Sequence, residues 1–434
     1  MSIDRRQFLA GTVALLATPA LAADRAELCR GALIDWHRLV LELVRHTATY
    51  SPPVASRAFA YVGIIAHEAH VGLVPGPVTL AGQLHGLTPL PVPASGLDPA
   101  AVLDAALGKA MNDYFGNTGP SGQGAMQAMA RKLAERIDAG LAPEIVAASR
   151  AHGLAIAAHV WDWSQSDGGA VVENLGFPYD YTFGEDPSDW VPTSDIRIQQ
   201  APLLPNWGTN RPFALPEAAI CTVKAHPEFS AEPGSAFFEA AREVYEVSKV
   251  LTEEHKIIAR FWSDDPMLSP TPPGHWVSII LQIAERDGLS AERTAAALAV
   301  NGIAVADAFI GCWREKYIWN LVRPVTYIKR NIDPNWETLL ITPPFPEYPS
   351  GHSVQSGAAE AALTALFGEN FAFEDATHED DGLPVRRFAS FREAAEEAAI
   401  SRLYGGIHYR FACDEGLVQG RCIGAHAARL RVSA

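Results

Sequence analysis

The chain has 434 residues, of which 48% are hydrophobic, enough for one large or two medium globular units with true cores. A formal net charge of −16 excludes a nucleic-acid backbone or an anionic membrane surface as the main partner, because a broad negative field repels both. Any anion site in this chain has to be a local exception to that field.

The first residues place an arginine pair, Arg5-Arg6, before a short apolar stretch and an Ala20-Leu21-Ala22 end. That order reads as a twin-arginine export leader over residues 1–22, which is set apart from the fold. Two regions follow, 23–216 and 217–434, with the second carrying the chemistry described below. Apolar residues recur at helical spacing over 28–46, 55–73, 101–114, 124–139 and 143–163. From 168 to 216 the periodicity gives way to Pro, Gly, Asp, Asn and Trp, which predicts a long loop. Helical spacing returns over 235–262, 273–286, 290–317, 351–366, 391–409 and 414–430, with a proline-rich stretch at 334–349. No run alternates like a strand and none gives about 18 uncharged apolar residues, so the prediction is an all-α fold of helical bundles without stable membrane insertion.

Five cysteines, Cys29, Cys221, Cys312, Cys413 and Cys422, show no C-x-x-C spacing, which argues against a zinc ribbon or a dense disulfide framework. One pair could bridge in an oxidising compartment, with Cys413 and Cys422 as candidates. His67-Glu68-Ala69-His70 lacks the four-residue spacing of a metalloprotease helix and reads as helix packing. His378-Glu379-Asp380-Asp381 reads as an acidic loop rather than a cation site, and no G-x-S-x-G elbow supports serine hydrolysis.

Three segments stand apart: Lys316-x6-Arg323-Pro324, Pro349-Ser350-Gly351-His352, and Ser401-Arg402-x5-His408. Arg323 and Arg402 are permanent cations with planar forks, and Lys316 adds a compact third charge. Ser350 stands where a helix begins, so its hydroxyl and the N–H groups of Gly351 and His352 can converge on one oxygen, aided by the helix dipole. Arg402 and His408 are six apart, about 600° around an ideal helix, so the helix has to end between them, and Gly405-Gly406 is the place for it. Together these residues predict a pocket for a tetrahedral oxyanion.

The three segments resemble the signature shared by vanadium-dependent haloperoxidases, bacterial class A acid phosphatases and type-2 phosphatidic acid phosphatases, over about 100 residues from Trp313 to Asp414. The resemblance implies a helical-bundle fold, vanadate bound through His408, oxygens held by Lys316, Arg323, Ser350, Gly351 and Arg402, and His352 as acid–base group. It further implies that Lys316 polarises bound peroxide, with hydrogen peroxide and a halide as the reacting partners. In a phosphatase the same geometry makes His408 a nucleophile that forms a phosphohistidine, and a binding protein would need the cations without His352. Trp313 and the run Pro343-Pro344-Phe345-Pro346-Glu347-Tyr348 resemble the fungal chloroperoxidase, which implies a halide wall of Trp313 and Phe345. Phe261-Trp262-Ser263-Asp264-Asp265 resembles the haloperoxidase segment whose aspartate braces an active-site arginine, which implies Asp265 against Arg402. The family pattern has an aspartate four after the last histidine. Here that position is Ala412, so His408 is expected to be oriented by Asp414 or by a backbone carbonyl.

Overall fold

The computed structural model describes residues 19–170, 181–194, 201–265 and 267–434. The expected leader lies almost wholly outside the described residues, which begin in the first turn of α1 (Pro19–Arg45). Among the described residues the chain forms 13 α-helices and one two-stranded hairpin, so the all-α expectation holds. Helices α2 (Pro52–Glu68), α3 (Pro99–Tyr114), α4 (Gly119–Asp138) and α5 (Pro143–Ser164) follow α1, each of these four with proline in its first turn. Proline fits there because its missing N–H would have had no partner inside the helix. Asp98 caps α3 by accepting from the Ala101 N–H at 2.9 Å.

The region expected to form one helix over 235–262 is two, α6 (Ala236–Lys249) and α7 (Glu253–Phe261). The break falls at Val250–Thr252 because Thr252 leaves the helix and caps the next one, its hydroxyl accepting from the His255 N–H and the His255 ring accepting from the Thr252 N–H. Helices α8 (Thr271–Arg286), α9 (Ala291–Trp319), α10 (Pro324–Asn331), α11 (Gly351–Phe367), α12 (Phe391–Tyr404) and α13 (Arg410–Ala427) complete the bundle. Two of these differ from expectation. Helix α10 was not foreseen within the stretch before residue 334, and α12 stops at Tyr404. The hairpin, β1 (Phe373–Asp375) against β2 (Arg386–Phe388), also escaped the periodicity reading, since three residues per strand are too few to alternate visibly.

Helix α9 is the axis of the molecule. It packs on α2 on one side and on α11 and α13 on the other, and one apolar cluster runs continuously from Cys29 to Val432 across the division near residue 217. It is also the one described helix long and apolar enough to cross a membrane, and its apolar window is wholly buried in protein. Asp307, buried in its middle, accepts from the N–H groups of Phe213, Ala214 and Leu215 at 2.6 to 2.8 Å, which ties the end of the long loop to the core.

Helices α11 and α13, which flank the functional segments, touch backbone to backbone. A Cβ added at Gly420 would stand 2.0 Å from the Val354 carbonyl oxygen and 2.9 Å from the Ala358 nitrogen. Gly420→Ala has to push the helices apart and is expected to destabilise the protein by about 1–3 kcal/mol. The check is the urea midpoint, and an unchanged midpoint would show that the contact is not tight.

The disulfide joins Cys221 to Cys422, with Cα atoms 5.8 Å apart, and not Cys413 to Cys422. Cys413 and Cys422 lie on the same helix, about 13 Å apart along its axis and half a turn out of phase, so they cannot meet. Cys413, Cys29 and Cys312 are free and buried.

Candidate active site

Lys316 stands in the last turn of α9, which Asn320 ends by taking a left-handed conformation at φ 46°. Asn320 is held by the long loop: its carbonyl accepts from the Trp190 N–H at 2.7 Å and its side-chain oxygen from the Tyr181 hydroxyl at 2.9 Å. The chain then reverses, so that Arg323 becomes the N-cap of α10. Lys316 and Arg323, which on a continuous helix would be a solvated pair, are both fully buried as a result.

Ser350 follows a cis Tyr348–Pro349 bond and is the N-cap of α11. Its hydroxyl oxygen accepts from the Ser353 N–H at 3.4 Å and the Ser353 hydroxyl at 3.0 Å, which leaves its own proton to donate. Arg402 lies in the last turn of α12, and Gly406, at φ 78°, turns the chain toward His408 as expected from the spacing. That left-handed turn suits glycine for a second reason: a Cβ there would sit 3.2 Å from the Trp336 ring.

The three segments converge. Arg323 Nη1 is 3.1 Å from His408 Nε2, Arg402 Nη1 is 3.5 Å from His352 Nε2, and the Cβ that Gly351 lacks would lie 3.8 Å from Lys316 Cε. Ser350 and Arg402 are buried with His408, whereas His352 is partly exposed and stands at the mouth. Trp313 and Phe345 line the same space, their ring centroids 5.0 Å apart, with Lys316 Nζ 5.0 Å and the Arg323 guanidinium carbon 5.0 Å from the Phe345 ring. The long loop braces this wall, the Leu203 carbonyl accepting from the Trp313 indole N–H at 3.0 Å.

The charges are not balanced by protein groups. Burial first, and Arg323 next among the opposing charges, push Lys316 down to about 7, and burial lowers both Arg323 and Arg402 to about 10. Arg323 Nη2 is a buried donor without a hydrogen-bond partner among the described residues. Three buried cations and an unanswered guanidinium N–H beside a helix N-terminus form a cradle that a polyanionic oxyanion fits. Lys316 differs from expectation in one respect, because its ammonium donates to the carbonyls of Pro346, Glu347 and Pro349 at 2.9, 3.0 and 2.5 Å. Its three protons hold the loop that delivers Phe345 and Ser350, so it acts on a bound anion through its charge and not as a hydrogen-bond donor.

Two expectations are corrected. Neither Asp414, which is exposed, nor a carbonyl orients His408; Glu347 does, with Oε1 2.8 Å from Nδ1. Glu347 lies inside the proline-rich segment, far from His408 in sequence, so no spacing rule on the third segment could find it. The same carboxylate oxygen accepts from the Tyr409 N–H at 3.0 Å. Burial raises Glu347 to about 7 against the pull of Arg323 and Lys316. Asp265 does not ion-pair with Arg402: that guanidinium donates to the Ser401 hydroxyl and, at 3.1 Å, to the Ala259 carbonyl, and Asp265 acts on it only through its field.

Burial, followed by the charges of Arg323, Lys316 and Arg402, drives His408 well below the ordinary histidine range, so the ring is neutral. With Glu347 against Nδ1, the single ring proton belongs on Nδ1, and the Nε2 lone pair, on the pocket side of the ring, accepts from Arg323 Nη1 at 3.1 Å. Glu347→Ala should weaken orthovanadate binding by about 10–100-fold in a calorimetric titration, whereas Glu347→Gln, which keeps an acceptor, should lose less. Equal losses in the two variants would show that charge rather than ring orientation matters.

Comparison with known proteins identifies the family. Residues 296–433 match the family model described as the VCPO second helical-bundle domain. Vanadium chloroperoxidase of Curvularia inaequalis is 27% identical over 35% of this chain, and vanadium-dependent bromoperoxidase of Ascophyllum nodosum is 35% identical over 19%. The matched segments span 35% and 17% of those relatives' own lengths. A bacterial vanadium-dependent chloroperoxidase of 16% identity shares the fold, with a TM-score of 0.70 over 89% of this chain and 93% of that one. A crystal structure of a bacterial vanadium-dependent iodoperoxidase superposes with a TM-score of 0.84 at 37% identity, covering 93% of this chain and 97% of that one. With that identity sustained over nearly the whole of both chains, this protein belongs to the vanadium-dependent haloperoxidase family, whose cofactor is vanadate.

Proposed function

We propose that this chain oxidises a halide with hydrogen peroxide to the hypohalous acid, using vanadate held between His408 and the buried cations. The observation that carries the reading is the cluster of Lys316, Arg323 and Arg402 around the His408 Nε2 lone pair, with Arg323 Nη2 left without a protein partner. Vanadate supplies a Lewis-acidic centre that activates peroxide without changing its own oxidation state. The chain's residues do the rest. His408 would hold the metal through Nε2, Arg323 and Arg402 would donate to its oxygens, and the Ser350 hydroxyl and Gly351 N–H would donate from the helix start. Lys316 contributes positive charge that favours electron withdrawal from peroxide. His352, the partly buried ring beside Arg402, moves protons between the pocket and solvent, with Arg402 beside Nε2 setting its charge state. Trp313 and Phe345 exclude bulk water on the side a halide would approach.

Iodide is the first halide to test, because the relative that spans 93% of the chain is an iodoperoxidase. The arginine pair at the N-terminus and the Cys221–Cys422 disulfide support export through the twin-arginine route to an oxidising compartment. The deciding measurement is halogenation of a dimedone-type acceptor by purified protein with peroxide, with and without vanadate, alongside hydrolysis of p-nitrophenyl phosphate. Vanadate-dependent halogenation is the expected result. Halogenation that ignores vanadate overturns the role given to vanadate, and phosphatase turnover that vanadate blocks, with no halogenation in its place, overturns the proposal in favour of a phosphohistidine enzyme.

A further inference from the structure

Behind His352, away from the oxyanion cradle, lies a second cluster of ligand-type groups. Asp264, His275 and His378 come from three separate elements, the turn after α7, the first turns of α8 and the loop of the β1–β2 hairpin, and bring one donor atom each to within 4.8 Å of one another. The side chains of Asp264 and His275 are fully buried, and that of His378 is 6% exposed.

The hydrogen-bond distances within the cluster divide into two sets. His275 Nδ1 lies 3.0 Å from both oxygens of Asp264, and His378 Nε2 lies 3.0 Å from Asp264 Oδ1. The other ring nitrogen of each histidine meets a carboxylate of its own more closely, His275 Nε2 on Asp375 at 2.8 Å and His378 Nδ1 on Asp381 at 2.9 Å. Asp264 thus faces both rings, with Nδ1 of His275 placed symmetrically between its two oxygens. Two imidazoles that turn one nitrogen toward a shared carboxylate and give the other N–H to a second carboxylate, Asp375 for one and the Arg45-paired Asp381 for the other, show a pattern found at metal-bound histidines. Asp264 holds this position with φ 48°, a conformation uncommon outside glycine, as expected where surroundings dictate the backbone.

We propose that Asp264, His275 and His378 form a site for a divalent zinc-class cation, its fourth position taken by water or by the second Asp264 oxygen, with Asp375 and Asp381 orienting the two imidazoles. The two-nitrogen and carboxylate donor set suits zinc, and the ion's two charges are offset by Asp264 and Asp375. The sequence offered no motif for it, because the ligands are 11 and 114 residues from Asp264. The site is distinct from the vanadate pocket and would pin the turn that carries Ser263, whose carbonyl reaches His352, and Asp265, whose charge is felt by Arg402.

The test is elemental analysis of the purified full-length protein, followed by chelator dialysis and titration with zinc and with cobalt(II) as a spectroscopic probe, with vanadate present throughout. Expected are one zinc or cobalt ion per chain, cobalt d–d absorption in the visible, and a higher melting temperature in the metal-loaded form. His378→Ala should abolish stoichiometric binding. Asp381→Asn, which leaves all three ligands in place and disturbs a partly exposed residue, should weaken it by about 10–100-fold while the far-ultraviolet circular dichroism is unchanged. A protein that carries no zinc and takes up neither ion overturns the proposal, as does wild-type binding by both variants. In either case the cluster is held by two protons in place of a metal.

Discussion

Replacing His352 with alanine is expected to cut halide oxidation at saturating vanadate by about 10²–10⁴-fold while changing vanadate affinity by less than about tenfold. The separation follows from position. His352 is the partly exposed ring of the pocket and touches the cradle through Arg402, whereas the groups proposed to bind the anion are buried. Without an anion, burial and the Arg402 charge hold His352 well below the ordinary histidine range, so it starts neutral. A bound polyanion counters the Arg402 charge and favours the protonated ring, and the titration midpoint of His352, followed by its ring proton resonances, should move upward when vanadate is added. Turnover by His352→Ala equal to that of wild type would remove this residue from the chemistry. A loss of vanadate binding as large as the loss of rate would make it a binding residue instead.

Lys316→Met is expected to weaken vanadate binding by roughly 30- to 1000-fold, equivalent to about 2–4 kcal/mol for deleting one partner of a buried charge contact. The same variant tests the electrostatics of the vanadate-free protein. The folded-state value of Lys316, about 7, lies below its ordinary 10.5. Below about pH 7 the ammonium is charged in both folded and unfolded states, and the cost of burying it is fully present. Between about 7 and 10.5 the unfolded chain holds the proton and the folded chain releases it, so the wild-type protein gains stability from this group as pH rises. Lys316→Met should lack that gain, and the stability difference between wild type and variant, read from urea midpoints at pH 7 and pH 10, should shift in favour of wild type. The absolute stability at neutral pH is a poorer guide, since methionine also strands the three carbonyls that Lys316 now satisfies. A pH-independent difference would mean that the three carbonyl bonds keep the ammonium charged throughout.

The electrostatic arrangement explains how a chain of net charge −16 can take up an anion. Its acidic groups are mostly outside or paired, whereas around His408 three cations face one buried carboxylate, Glu347, which is itself turned to the far ring nitrogen and the Tyr409 N–H. The three positive charges are held there at a cost that a bound oxyanion would relieve. On the proposed function, binding and stability oppose each other at Lys316, Arg323 and Arg402.

That the residues of the proposed oxyanion pocket come together was legible in the sequence because each constraint on them is local. A serine that caps a helix, a glycine beside it, and a glycine pair that must break a helix between Arg402 and His408 are features of neighbouring residues, and the structure places them as the spacing requires. Helical periodicity likewise carried the fold class, since α9, α11 and α13 each repeat apolar residues over four or more turns. What the chain order could not convey was any contact whose partners lie far apart or on a shared helix with the wrong phase. Glu347 reaches His408 across 61 residues, Cys221 reaches Cys422 across 201, and His378, which reads as part of an acidic loop, is carried by a short hairpin into a buried cluster with Asp264. Asp265 and Asp414 failed as partners for the opposite reason: nearness in sequence or resemblance suggested them, but the turn after α7 directs Asp264 inward, and α13 turns Asp414 out to solvent. Local backbone chemistry thus set which residues could form the cradle, and only helix packing around α9 decided which distant carboxylates and thiols would support it.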